Sequence, residues 1–464
     1  MAESLIISVS GMRGVIGENL TPVIAAQYGC AFGTFLKETA GDGGRRLKVC
    51  IGRDSRVSGQ MLLSAMTAGL CSVGVDVVDL GLVTTPCVGI MLRQLGCDGG
   101  IVITASHNPL PYNGIKLLLS NGMAPPAATA AKIKQAFLDG RAGYVDSVHC
   151  GTVSCNEETD RVHVEKVLAT IDSKQIAVRR CRIVLDSVNG AGARVAKKLL
   201  AQLGCEVIAM NDEPTGLFAH GAEPIAANLA DLCRRVRQEK ADLGFAQDPD
   251  ADRLAIVDEN GVYIGEEYTL ALAAMHIFAS QKGTAAANLS TSRMIDDIAE
   301  RAGAKVLRTP VGEAHVANAM IENRCVIGGE GNGGVIDLRV GPIRDSLVGM
   351  AMVLQLMAET GKSISGLVAE IGGYSMHKDK FSADAEQARE IMKRAAARFP
   401  KAIANTADGL RLDFPDAWIH LRTSNTEPVM RIIVEAKDEP AAKRYIQAVA
   451  EIRRSVLEGR SGGR

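Results

Sequence analysis

Three aspartates separated by single residues, Asp248, Asp250 and Asp252, put hard oxygen donors into one short turn. Such a set suits Mg²⁺ or Ca²⁺, which prefer carboxylate and carbonyl oxygens. An EF-hand loop is the competing reading, because Glu259 stands at its twelfth position. Arg253, however, fills the sixth position, where that loop needs glycine for its sharp turn. Leu254 to Val257 also reads as a strand starting inside the loop. An open Mg²⁺ site fits better.

The second chemical candidate is Ser106, followed at once by His107, within Gly99-Gly-Ile-Val-Ile-Thr-Ala-Ser-His-Asn-Pro109. Ile101 to Ile103 predicts a short buried strand that Pro109 cannot prolong. A hydroxyl at the C-terminal end of such a strand stands where open α/β sheets bind ligands. Read blandly, the same residues make an ST-turn. Lys116 follows ten residues later, behind Asn113-Gly114. If Ser106 carries a phosphate, its charge and that of the three aspartates sum to roughly −5. A divalent cation with Arg253 and Lys116 brings the sum to about −1, so a phosphoserine here calls for a metal.

Two further loops have a chemical character. Gly328-Gly-Glu-Gly-Asn-Gly-Gly334 lets a ligand approach the backbone closely, while Glu330 and Asn332 can hydrogen-bond sugar hydroxyls. Arg422, Ser424, Asn425 and Thr426 combine a guanidinium fork with hydroxyls and turn N–H groups, a cradle for phosphate. Arg431, on the next predicted strand, can join them. Other templates fail. Gly361-Lys-Ser363 ends like a P-loop, but Leu356 replaces the first glycine. Gly190-Ala-Gly192 lacks the third glycine of a dinucleotide fingerprint, having Val195. His149, Cys150 and Cys155 lack a fourth zinc ligand nearby.

The elements that must position these loops follow from size and rhythm. At 464 residues the chain exceeds one core and predicts several domains. Basic and acidic residues number 52 and 53, and aromatics are 4%, so neither bulk charge nor base stacking favours a nucleic-acid partner. The N-terminus has no basic region before an apolar run, and no stretch reaches membrane-spanning length, so a cytoplasmic protein without a membrane partner is expected. Its eleven cysteines contain no CxxC pair, as in a reduced compartment. Nothing in the sequence indicates an oligomeric state.

A degenerate repeat organises the chain. Lys48 to Ser55, a helix, then Gly74 to Leu80 reads as strand, polar turn, helix, glycine, strand. Arg182 to Ser187 with Gly204 to Ala209, and Ala285 to Ser290 with Gly303 to Leu307, repeat it. Each glycine fits a helix C′ position. After Gly372-Gly373 the rhythm changes to a helix, three strands and a last helix. The predicted fold is therefore three topologically related α/β domains with mixed sheets, plus a C-terminal α+β domain, around a central cleft. The expected boundaries are 1–155, 156–256, 257–368 and 369–464.

Taken in order, these motifs resemble the α-D-phosphohexomutase superfamily along the whole chain. Ser10-Gly-Met-Arg-Gly14 resembles its N-terminal signature, and Thr104 to Pro109 its phosphoserine loop. Asp248 to Arg253, Gly329 to Gly334 and Arg422 to Pro428 resemble its metal, sugar and phosphate loops. The resemblance implies phosphorylation of Ser106, with Mg²⁺ held by Asp248, Asp250, Asp252 and a phosphoserine oxygen. It implies reversible transfer on a hexose phosphate through a hexose 1,6-bisphosphate, which also serves as activator. Lys116 and Arg13 match positions implied in acid–base work or phosphoryl stabilisation; Lys116 is the favoured proton carrier and His107 the alternative. Pro249 and Gly334 depart from many relatives, and with Asn332 they resemble the archaeal-type branch of phosphoglucosamine mutases and phosphomannomutase/phosphoglucomutases. Glucosamine phosphate is the substrate expected, with mannose and glucose phosphates the alternative. A non-catalytic phosphosugar-binding protein and a phosphatase are the competing expectations.

Overall fold

The structure is a computed structural model and describes residues 5–9, 11–41, 45–423 and 429–458. Four sheets follow one another along the chain, and the first three share one plan. In each, a first strand (Lys48–Arg53, Arg182–Asp186 or Thr284–Asn288) runs parallel to a second (Asp76–Leu82, Glu206–Met210 or Lys305–Thr309). On its other side lies a parallel third strand, Gly99–Ile103, Leu243–Gln247 or Ile327–Glu330. A fourth strand, Tyr112–Leu119, Leu254–Val257 or Gly334–Ile336, then folds back antiparallel on the third. The predicted repeat is present, and each copy carries this extra hairpin that periodicity did not show.

The three repeat glycines do the same job. Gly74, Gly204 and Gly303 all have φ between 66° and 81° and follow helices ending at Ser72, Gln202 and Arg301. In every copy the glycine N–H and the next N–H reach back to carbonyls of the last helical turn, as Gly74 does to Cys71 and Val75 to Leu70. This is the Schellman arrangement, which ends a helix and turns the chain into the next strand.

The first sheet gains Ile6–Ser8, Gly11–Val15 and Val153–Cys155 at its edges. Helices Glu267–Ser280 and Ser346–Thr360 are packed together and almost wholly buried. The fourth sheet is antiparallel, ordered Ser375–Ser382, Val429–Ala436, Ala417–Thr423, Leu410–Asp413 and Ile403–Asn405, against helices Ala385–Arg398 and Glu439–Glu458. Two of its strands went unread in the sequence. Ser375–Ser382 carries lysines and an aspartate without apolar alternation, because it is an edge strand. No helix among the described residues is long and apolar enough to cross a membrane.

The hairpin turns press on one another. Leu254 N–H donates to Gly333 O at 3.0 Å, and a Cβ at Gly333 (φ +85°) would lie 2.4 Å from Leu254 O. Gly361 also has positive φ (+69°) but faces open space. Alanine is strained at either position, yet only G333A adds a clash. We expect G333A to destabilise by about 1–3 kcal/mol more than G361A, read as the difference in their thermal midpoints.

Candidate active site

Each of the three extra hairpins turns at the C-terminal end of its third strand, and each turn holds one chemical loop. Thr104 to Pro111 carries Ser106, Asp248 to Arg253 carries the aspartates, and Gly331 to Gly333 carries Asn332 directly after Glu330. The structure brings the first two together. Ser106 Oγ donates to Asp248 Oδ2 at 2.8 Å, across units distant in sequence. Asp248, Asp250 and Asp252 are each 0% exposed, with ligand atoms all within 4.8 Å of one another.

Two cations and a threonine, from three segments, meet these carboxylates. Lys116 sits on the hairpin's return strand, opposite Val102, and donates to Asp250 Oδ2 at 2.7 Å, with Asp252 Oδ2 at 3.6 Å. Arg344 Nη2 donates to Asp252 Oδ2 at 2.6 Å. Thr85, at the start of helix Thr85–Gln94, gives its hydroxyl to Asp250 Oδ2 at 2.6 Å and its N–H to Asp250 O. Burial and the two neighbouring aspartates push the Asp248 carboxyl well up. Burial pushes Asp250 the same way, but Lys116 and the hydrogen bonds hold it well below the usual range.

The residues fit a divalent ion. Asp250 Oδ1 and Asp252 Oδ1 are buried without a hydrogen-bond partner among the described residues. Orphaned carboxylate oxygens are expensive, and a hard cation is the partner that satisfies several at once. Burial opposes charge on Lys116, yet Asp250 and Asp252 raise its pKa, so it stands as an ammonium. Burial, with Arg253 and Arg13 beside it, pushes His107 down to about 2, which makes it a poor proton carrier. His107 Nδ1 lies 3.3 Å from Ser106 Oγ and its Nε2 3.8 Å from Glu223. Arg253 donates its N–H to Asp248 Oδ1 and its Nη1 to Glu223 Oε1, at 3.1 and 2.9 Å. Arg13 Nη1 donates to Asn108 Oδ1 at 2.8 Å, bracing the serine loop.

The sugar and phosphate candidates line the other units. Glu330 is buried; burial opposes its charge, but Arg344, Asn288 and Gly312 N–H keep its pKa low. Asn332 Oδ1 is buried and has no hydrogen-bond partner among the described residues. Arg422 faces Asp408 Oδ2 at 3.3 Å and stands opposite Arg431, itself opposite Lys380. Like charges directly opposite one another are destabilising, so this row of three cations suits an anion. Ser424, Asn425, Thr426 and Ser10 lie outside the described residues.

Sequence reasoning missed the parts that hold Ser106 in place. Ser106 has φ +48°, a left-handed conformation uncommon outside glycine. Arg56, 2% exposed, donates to four carbonyls of that loop: Ser106, Asn108, Pro109 and Tyr112, at 2.6 to 3.0 Å. Asp54 pairs with Arg56 and accepts from Thr104 Oγ1 at 2.6 Å, while Thr104 Oγ1 accepts from Ser106 N–H. Burial pushes the Asp54 carboxyl up to about 6, against the pull of Arg56. The only local sign was the polar run Arg53-Asp-Ser-Arg56 ending a strand.

Comparison with known proteins places this site in a class. Residues 5–142, 161–261 and 265–374 match the phosphoglucomutase/phosphomannomutase alpha/beta/alpha domains I, II and III, and 384–452 match the C-terminal domain of the same family. The phosphoglucomutase/phosphomannomutase of Thermococcus kodakarensis is 39% identical over 454 residues, covering 97% of this chain and 98% of its own. A probable phosphoglucosamine mutase of Methanopyrus kandleri is 39% identical over 453 residues, again with 97% and 98% covered. A phosphoglucomutase/phosphomannomutase family protein of Burkholderia thailandensis superposes with a TM-score of 0.85 at 28% identity, covering 99% of each chain. Such a fold and such relatives define an intramolecular phosphotransferase. The chain belongs to the phosphoglucomutase/phosphomannomutase family.

Because a lysine cannot span four carbonyls, R56K should let the serine loop shift. We expect kcat to fall about 10²-fold, the size of effect that slight misplacement of a reacting group produces. Calorimetric Mn²⁺ binding should stay within a factor of two or so of the parent, since the aspartates are untouched.

Proposed function

We propose that this enzyme interconverts hexose 6- and 1-phosphates through a phosphoserine at position 106. In the first half, the sugar O1 hydroxyl attacks the Ser106 phosphorus, the P–Oγ bond breaks, and a hexose 1,6-bisphosphate forms. After the bisphosphate turns end for end, Ser106 Oγ takes back the other phosphoryl group and the sugar O6 leaves as a hydroxyl. Lys116 gives its proton to the departing oxygen and recovers one from the attacking hydroxyl. Burial opposes its charge, but Asp250 and Asp252 raise its pKa, so Lys116 holds the proton it is to give. Arg13 and Arg253 stabilise charge on the transferring group. Asp248, Asp250 and Asp252, with an oxygen of phosphorylated Ser106, would hold Mg²⁺, which when bound neutralises charge on the phosphoryl oxygens. Glu330 and Asn332 take the sugar hydroxyls, and Arg422 with Arg431, Ser424, Asn425 and Thr426 takes the non-reacting phosphate.

The observation that carries this reading is the 2.8 Å contact between Ser106 Oγ and a buried triple-aspartate cluster faced by Lys116. A protein that only binds phosphosugars needs no such hydroxyl beside a metal cluster. Glucosamine phosphate is the proposed substrate. Relatives named probable phosphoglucosamine mutase support it. Free hexose 1,6-bisphosphate should serve as activator by rephosphorylating Ser106.

Intact-mass analysis of the purified protein should show a fraction carrying one phosphate, absent from Ser106→Ala. That variant should lose on the order of 10³-fold or more in kcat; parental activity would refute the mechanism. Stripping metal with a chelator should stop turnover while sugar-phosphate binding persists. Across glucosamine, glucose, mannose and N-acetylglucosamine phosphates, kcat/KM should be highest for glucosamine.

A further inference from the structure

We infer that Arg344 is a positioning residue that sets the metal site and the sugar site with one guanidinium. It lies between the return strand Gly334–Ile336 and helix Ser346–Thr360, and was singled out by no motif. Its three nitrogens divide among three carboxylates on three different segments. Nη2 donates to Asp252 Oδ2 at 2.6 Å, Nη1 to Glu330 Oε2 at 2.8 Å, and Nε to Glu313 Oε2 at 3.0 Å. The Arg344 backbone N–H also reaches Glu313 Oε2, at 3.1 Å, which pins the root of the side chain. The next two residues anchor the segment. Asp345 caps the helix through Leu347 N–H, and Ser346 Oγ donates to Ala251 O, inside the metal loop, at 2.7 Å.

The division of oxygens is what gives this bridge its meaning. Arg344 makes the hydrogen bond to Asp252 Oδ2, which Lys116 faces only at 3.6 Å. Asp252 Oδ1 is left buried with no hydrogen bond among the described residues, 4.0 Å from Arg253 Nε, so Arg344 orients the oxygen that Asp252 turns toward an ion. At Glu330, Asn288 and Gly312 N–H share Oε1, and Arg344 alone among them holds Oε2. It therefore fixes both the charge and the rotamer of the carboxylate assigned to sugar hydroxyls. A planar fork can serve three acceptors in fixed directions, whereas an ammonium on a flexible stem is a single point charge. Partners that orient a ligating carboxylate commonly carry 10- to 100-fold in metal affinity.

The inference rests on the mutase reading above, and its test separates the two. Ser106→Ala protein, which cannot turn substrate over, is titrated calorimetrically with Mn²⁺ and, separately, with glucosamine 6-phosphate. Failure to bind either ligand would refute the mutase reading before Arg344 is touched. With R344K added, we expect both affinities to fall roughly 10-fold or more, with the melting temperature within a few degrees of the parent. A purely structural role would lower the melting temperature and leave the two affinities alone. If either affinity stays at the parental value, Arg344 is not the bridge. Should R344K not fold, R344A is titrated with methylguanidinium or methylammonium present. Recovery of both affinities with the first cation alone is expected; equal rescue by both cations, or by neither, overturns the inference.

Discussion

Everything in this molecule answers to the crowding of three carboxylates away from water. Taking one ion out of water costs several kcal/mol even after relaxation, and like charges add to that. Asp248, Asp250 and Asp252 are tolerable only because Lys116, Thr85 and Arg344 arrive from other parts of the chain. Thr85 and Lys116 belong to the first sheet's unit, and Arg344 follows the third sheet's last strand. The units are therefore held together by their chemistry as much as by their shared apolar core. Docking them completes the charge balance that makes the cluster possible.

One architectural device supplies three different reagents. A parallel third strand runs to its C-terminal end, turns, and returns antiparallel, and the turn is free to carry whatever the chemistry requires. In the first unit it carries a strained serine gripped by Arg56; in the second, aspartates around a left-handed Ala251. In the third it is glycine-rich and pressed against the second. The fourth unit follows another plan and offers a row of cations across adjacent strands.

A continuous apolar run made Leu254–Val257 legible with its correct bounds, and glycines marked three helix ends. Ser106 and the aspartates were legible because a hydroxyl and carboxylates sit in short polar turns, and Lys116 because a lone ammonium interrupts an apolar strand. Arg56 and Arg344 were not. Arg56 closes a short polar run and Arg344 stands alone among ordinary neighbours, and their meaning lies in partners 50 or more residues away in the first case and between 14 and 92 in the second. Edge strand Ser375–Ser382 was hidden for a related reason: Lys378 pairs with Glu266 and Glu267 of the third unit rather than following an apolar pattern. Local pattern reveals what is locally determined. Long-range ion pairs leave no periodic trace.

The hairpin turns also bear on how such a protein can change over generations. Each reagent-bearing loop joins two strands that are neighbours both in sequence and in the sheet, so its ends are fixed a few ångströms apart by the ladder itself. A mutation that lengthens, shortens or rewrites the loop leaves the ladder beneath it intact. Duplicated copies of one ancestral unit could thus acquire separate duties by editing a single short cassette, while inheriting a scaffold that already folds.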